Sequence, residues 1–166
     1  MLRKGRIVGA LSPFALFSFL LNFVWEMLQS PFFAHIPDEP HWQMTLICLQ
    51  ATNGDVGITL LSVSTAAGIT RAALWFLPMS RRGTAPYLVV GLGITALAEW
   101  HALSSGRWAY SRLMPVLPLR GIGLVPILRW TVLPVAVLAL SRRLYQGSTV
   151  RTSVAEAVAN HRAVQQ

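Results

Sequence analysis

The sequence predicts an all-α fold: a membrane-embedded four-helix bundle with both termini cytoplasmic and an ordered outer loop between the third and fourth spans. Three observations carry this expectation. Charged residues are only 12% of the 166, against 54% hydrophobic, about half the ~25% charged share of a soluble chain. Mean hydropathy is +0.51. The apolar residues gather into four runs, each close to the ~20 residues that cross a bilayer. These counts exclude a soluble enzyme domain and divide the chain into a bundle, residues 1–146, and a cytoplasmic tail, 147–166.

The first span covers about 7–28, after Arg3, Lys4 and Arg6. Its length, the lack of a small-x-small cleavage site, and Asn22 and Glu26 within it favour a retained helix over a signal peptide. The second covers about 43–69, with Arg71 leaving on the cytoplasmic side and Ala72 to Leu77 lying near the interface. The third and fourth cover about 85–103 and 121–140. In the tail, Val150, Val154 and Val158 recur at four-residue spacing, compatible with a short surface helix or a frayed end.

Orientation follows from the basic residues. Fourteen Lys and Arg against six Asp and Glu give a formal charge of +8. Placed along the chain, they flank the spans rather than forming one polar face, which argues against nucleic acid. The N-terminus, the Arg81-Arg82 link and the Arg142-Arg143 pair share one side. By the positive-inside rule that side is the cytoplasm; a bacterial inner membrane is the expected location. Membrane lipid is the first expected partner, with a homo-oligomer or a membrane partner protein left open.

Ionisable groups cost at least ~2.5–3.5 kcal/mol at the centre of a membrane helix, so those within spans are the most informative. Glu26, Asp55, Glu99 and Arg129 fall one per span. Ser18, Asn22, Glu26 and Gln29 share one helical face of span one. Thr45, Cys48, Thr52, Asp55, Thr59 and Ser62 do so in span two, and Tyr87, Gly91, Thr95 and Glu99 in span three. Lipid cannot satisfy such stripes, so they should face one another. At ~1.5 Å per residue, Glu26, Glu99 and Arg129 converge on the outer half of the bundle, with Asp55 nearer the midplane.

Arg129 with Glu99 or Asp55 is compatible with a buried ion pair that fixes helix register. One arginine cannot neutralise three acids, however, and an acid kept neutral in a dry pocket can transfer protons. Glu99 is the candidate acid, Glu26 or Asp55 the partner carboxylate, and Arg129 the group that holds charge in place. Asn22, Thr52, Thr95, Trp25, Trp100, Trp108, Tyr110 and Trp130 are the candidate ligand contacts. His101, two residues past Glu99, points away from the stripe.

The single cysteine, Cys48, excludes an internal disulfide framework and a Cys-based zinc site. His35, His41, Asp38 and Glu39 lie together in the first outer loop without a standard zinc spacing, and no metal is expected. Gly91-x-Gly93 lies inside an apolar run, so neither a nucleotide nor another cofactor is implied. The stretch from Glu99 through Gly106-Arg-Trp-Ala-Tyr110, Met114-Pro115 and Gly121-Ile-Gly123 suggests a loop folded over the bundle mouth. Pro126, Trp130 and Pro134 recur along span four and are compatible with a bent helix lining a cavity.

Two patterns carry a resemblance: Leu21-Asn-Phe-Val-Trp-Glu-Met-Leu-Gln29 with Ala51-Thr-Asn-Gly-Asp55, and Glu99 with the Gly106-to-Gly123 motifs. Over residues 14–143 the chain resembles a family of small, uncharacterised four-span bacterial membrane proteins, which implies topology and not activity. Glu99, the Gly-aromatic-Tyr loop and the Pro…Trp130 segment bear a weaker resemblance to membrane-embedded carotenoid hydratases and cyclases. Those chains are longer and differently spaced; the likeness implies chemistry on a lipidic substrate. The expectation is therefore an acid-lined outer pocket acting on, or binding, a lipidic or isoprenoid molecule, as an isomerase, hydratase or cyclase would. A small transporter or channel subunit and a non-catalytic membrane partner are the alternatives.

Overall fold

The computed structural model describes residues 2–34, 36–117, 121 and 123–164, with side chains for 9–34, 36, 38–117, 121, 123–148, 150 and 151. His35 and Arg120, and the side chains of Arg3, Lys4, Arg6, Val154, Val158 and Arg162, lie outside the described residues. Four helices form the fold: α1 (Leu2–Gln29), α2 (His41–Thr70), α3 (Arg81–Ser104) and α4 (Leu124–Val164). Two 3-10 turns, Ser30–Phe32 and Ile36–Asp38, join α1 to α2. Four helical stretches are long and apolar enough to cross a membrane: Gly9–Phe32, which takes in the first 3-10 turn, His41–Thr70, Arg81–Ser104 and Leu124–Ser148. The chain is a multi-pass membrane protein with an all-α four-helix fold.

The bundle buries polar stripes beside an apolar core and turns apolar side chains outward. On α1, Ser18, Asn22, Glu26 and Gln29 are buried, while Leu16, Leu20, Val24 and Leu28 are about half exposed or more on the other side. On α2 the buried positions are Cys48, Thr52, Asp55, Thr59, Ser62, Val63 and Ala66. Water would drive the reverse arrangement. In lipid the apolar face costs nothing to expose, and polar groups must find partners across the helix interface. Ser18 and Thr59 do so directly, with hydroxyls 2.9 Å apart. The three polar stripes read from the sequence face inward as expected.

α1 packs closely against α2 and α4, and α2 against α3, whereas α3 and α4 touch sparsely. The Tyr87 hydroxyl spans that gap, donating to the Pro134 carbonyl at 3.1 Å. One end of the bundle is closed by aromatic packing. Phe14 meets Phe76 edge-on at 5.1 Å, Trp75 lies 5.7 Å from Tyr87, and Phe76 lies 5.6 Å from Tyr145.

The segment after α2 completes this end: Ala72 to Leu77 fold back so that Trp75 and Phe76 plug the core. Arg71 takes a left-handed conformation (φ 54°) that ends α2, and Trp75 donates its indole N–H to the Val63 carbonyl at 3.2 Å. This inward packing requires Gly83, where a Cβ would lie 2.3 Å from the Trp75 ring. α4 continues unbroken past residue 140 and through the tail to Val164.

At the opposite end, the loop after α3 folds over the bundle mouth as expected. Ala34 donates to the Ala109 carbonyl at 2.8 Å and Ser111 to the Phe32 carbonyl at 2.9 Å, pairing the α1–α2 connection with the 105–111 segment. The Ser111 hydroxyl adds a bond to the Pro31 carbonyl at 2.8 Å. The loop then doubles on itself, Leu124 donating to the Pro115 carbonyl at 2.7 Å. A side chain at Gly123 would press on Met114 and Tyr110, so glycine lets the loop close.

Candidate functional site

The four intramembrane charges stand at the loop-covered end of the bundle and divide into two groups. In the first, Arg129 of α4 reaches to α1 and α2. Its Nη1 contacts Glu26 Oε1, its Nη2 donates to Asp55 Oδ1 at 3.1 Å, and Nη1 is 3.1 Å from Asp55 Oδ2. Glu26 is further fixed along its own helix, where Gln29 donates to Oε2 at 2.8 Å and Trp25 donates to Gln29 at 2.9 Å. The spacings of 3 and 4 residues place these groups on one helix face. Both acids are buried, a position tolerable only because each meets the same planar, forked cation.

Glu99 forms the second group with the loop. It accepts a hydrogen bond from the Tyr110 hydroxyl at 2.5 Å, and that hydroxyl accepts from the Gly123 backbone N–H at 3.0 Å. The Trp108 indole N–H approaches the same carboxylate without closing a hydrogen bond. Burial, followed by the bond to Glu99, pushes the Tyr110 phenol well above its usual range, while the Gly123 N–H opposes this. Tyr110 is therefore a donor throughout the physiological range. The sequence left Glu99 or Asp55 open as the acid nearest Arg129. Arg129 holds Asp55, one of those two, and Glu26 besides, because α4 packs on α1 and barely meets α3.

Between the groups lies a cleft of about 460 Å³, whose lining includes Glu26, Asp55, Thr95, Glu99, Trp108 and Arg129, together with apolar Phe33, Ile36, Ile47 and Ile58. Gln50, Ala51 and Gly54 of α2 and Ala98 of α3 line it and are exposed. The cleft thus opens sideways between α2 and α3. Deeper in the bundle these helices close, and a Cβ on Gly91 would be 3.4 Å from the Ser62 hydroxyl. A second void of about 10 Å³ lies by Asn22, Thr59, Arg129 and Trp130. It is about the size of one water, and the Arg129 Nε and Trp130 Nε1 groups are buried without protein partners.

Glu26, Asp55, Glu99, Arg129, Thr95 and Trp108 therefore share one cavity, with Tyr110 bonded behind Glu99. Asn22 and Trp130 flank the smaller void. Thr52 is fully buried and donates to the Cys48 carbonyl at 2.8 Å, so it acts within α2. Trp25 acts through Gln29. Trp100 lines neither void: it is 65% exposed, because one helical step past Glu99 turns the side chain by ~100°. His101 is likewise exposed. Among the described residues no three His, Cys, Asp or Glu side chains are grouped to hold a metal.

Phe33, Gln50 and Arg107 also line the cleft, and little marks them in the sequence. Phe33 follows α1 in a non-periodic segment, Gln50 lies off the α2 stripe, and Arg107 reads as a loop charge. Compared with protein-family models, curated proteins and solved structures, the chain matches none.

Proposed function

We propose that the cleft receives a lipidic or isoprenoid molecule from the bilayer and that Glu99 carries out acid/base chemistry on it. The sideways opening between α2 and α3, leading to buried carboxyl groups, supports this reading most directly. A volume of about 460 Å³ falls within the ~300–1,000 Å³ of small-molecule sites. Tyr110 occupies Glu99 Oε1, so the exchangeable proton belongs to Oε2. Glu99 gives that proton to the ligand and a carboxylate of the Glu26–Asp55 group takes one back, so protons balance over an isomerisation. The aromatic plug at the far end favours a pocket over a through-path.

The basic N-terminus and the Arg81-Arg82 and Arg142-Arg143 pairs support placing both termini in the cytoplasm of a bacterial inner membrane, with the cleft in the outer half. Reporter fusions at each terminus should both read cytoplasmic. For the chemistry, lipid extracts are compared among cells lacking the protein, complemented cells, and cells carrying Glu99→Gln. One lipid species should accumulate without the protein, return to normal with the wild type and persist with Glu99→Gln. Identical extracts from all three would count decisively against the reading.

A further inference from the structure

We propose that Trp108 is a positioning residue for Glu99: its indole N–H closes on the Glu99 carboxylate once the acid has released its proton, and opens again when the proton returns. This role rests on the reading of Glu99 as the acid and adds the donor that receives its negative charge. The loop sets the placement. Ala34 donates to the Ala109 carbonyl and Ser111 to the Phe32 carbonyl, so Tyr110 pairs with Phe33 across an antiparallel bridge. In such an extended segment, residues two apart project to the same side. Tyr110 reaches Glu99 from that side. Trp108 shares it, because the Phe33 ring meets the Trp108 ring at 6.2 Å and the Tyr110 ring at 5.7 Å. Trp108 and Glu99 both line the cleft, and the indole N–H approaches the carboxyl group.

That N–H has no other use. Nε1 of Trp108 is buried without a hydrogen-bond partner, although buried polar groups are nearly always bonded. An indole only donates, so Nε1 requires an acceptor. Tyr110 holds Oε1 of Glu99, which leaves Oε2. While Oε2 carries the exchangeable proton it is a weak neutral acceptor; once it has lost that proton it is anionic, and hydrogen bonds to it are roughly twice as strong. The indole keeps its own proton throughout. Glu99 loses and regains one, and Trp108 only gains and loses a partner, so the proton balance of the reaction is unchanged. The other charges around the cleft do not take this place. Both terminal nitrogens of Arg129 on α4 are engaged by Glu26 of α1 and Asp55 of α2. Arg107 of the loop is exposed, where solvent and salt screen it.

The test follows both groups through pH 4 to 9 in the full chain, held in phosphatidylcholine nanodiscs and labelled with 15N at the tryptophan indoles. The Glu99 carboxyl stretch is identified by infrared difference against Glu99→Gln, and the Trp108 indole resonance by its loss in Trp108→Phe. As Glu99 ionises, the Trp108 indole proton should move downfield with the same midpoint. In Glu99→Gln that movement should vanish. Trp108→Phe should move the Glu99 midpoint to higher pH by about 1, the scale of one hydrogen bond to a charged group. A merely structural tryptophan would leave that midpoint in place. An indole resonance that stays fixed while Glu99 ionises overturns the proposal and leaves the acid reading standing. If Glu99 shows no ionisation anywhere in the range, the acid reading falls as well. Should Trp108→Phe fail to fold, the indole movement in wild type and its loss in Glu99→Gln still decide, with the resonance assigned through Trp108→Tyr.

Discussion

Tyr110 donates to Glu99 at 2.5 Å while accepting the Gly123 N–H at 3.0 Å. One phenol thus links the outer loop to an intramembrane acid. Tyr110→Phe removes both bonds and leaves Glu99 without its donor, so stability should fall by about 1–3 kcal/mol. Thermal unfolding in neutral micelles, compared with wild type, measures the loss.

The same pair sets an alkaline limit. Burial and the Glu99 bond raise the Tyr110 phenol in the folded state, so folding favours its protonated form. That contribution is fully present below the unfolded tyrosine value of ~10 and is lost as pH rises above it. Melting temperature should therefore fall more steeply for wild type than for Tyr110→Phe between pH 9 and 11. Parallel alkaline limbs would refute the linkage.

Arg129 joins three helices through two carboxylates, and its removal leaves two buried acids facing each other. Arg129→Met should cost about 3–5 kcal/mol, the range for breaking a buried pair. Adding Glu26→Gln and Asp55→Asn should recover much of that loss. Arg129→Lys should fall between, since a compact ammonium lacks the fork that meets both acids. Denaturant titration of the four proteins in micelles supplies the comparison. An Arg129→Met variant as stable as wild type would show that the cluster makes no structural contribution.

The inward stripes were legible because a bilayer turns the usual pattern inside out: buried Ser18, Asn22 and Glu26 at four-residue steps are conspicuous among leucines. Membership of the charge cluster was legible for the same reason. Its pairing was legible only in part, with Asp55 named as a partner of Arg129 and Glu26 missed. Whether Arg129 meets Glu26 or Glu99 depends on α4 leaning on α1 rather than α3, a choice no single-helix period encodes. Trp100 shows the limit of reading aromatics by proximity, since adjacency to Glu99 in sequence places it on another face. The sequence places Ala72 to Leu77 near the interface because the second apolar run outlasts a bilayer; that Trp75 and Phe76 turn inward depends on the left-handed Arg71 and the space left by Gly83.

That space gives a stability prediction away from the site. A methyl group at Gly83 would stand 2.3 Å from Trp75 Cε3, and the ring is buried and tied to the Val63 carbonyl. It cannot yield as a flexible chain end would. Gly83→Ala should lower stability by about 1–3 kcal/mol, the cost of overpacking a filled core. Trp75→Leu in the same background should relieve part of it, and a double-mutant cycle by thermal unfolding reads the coupling.

The entrance to the cleft can be tested without disturbing the charges. Gly54 lines the cleft, is exposed, and has nothing within 4 Å of where a Cβ would sit. Gly54→Leu should fold at least as well as wild type, because leucine is the better helix former by roughly 0.5–1 kcal/mol and meets no clash. Its side chain would nonetheless stand in the gap between α2 and α3. Saturable binding of lipidic probes in nanodiscs should drop by about 10-fold or more if that gap is the way in, matching the loss of ~1.4 kcal/mol of binding energy. Leucine on the outer α2 face at exposed Ser64, which does not line the cleft, provides the control and should leave binding unchanged. Equal binding by both variants would show that ligands enter elsewhere, since Gly54→Leu alters the mouth and leaves Glu26, Asp55, Glu99 and Arg129 in place.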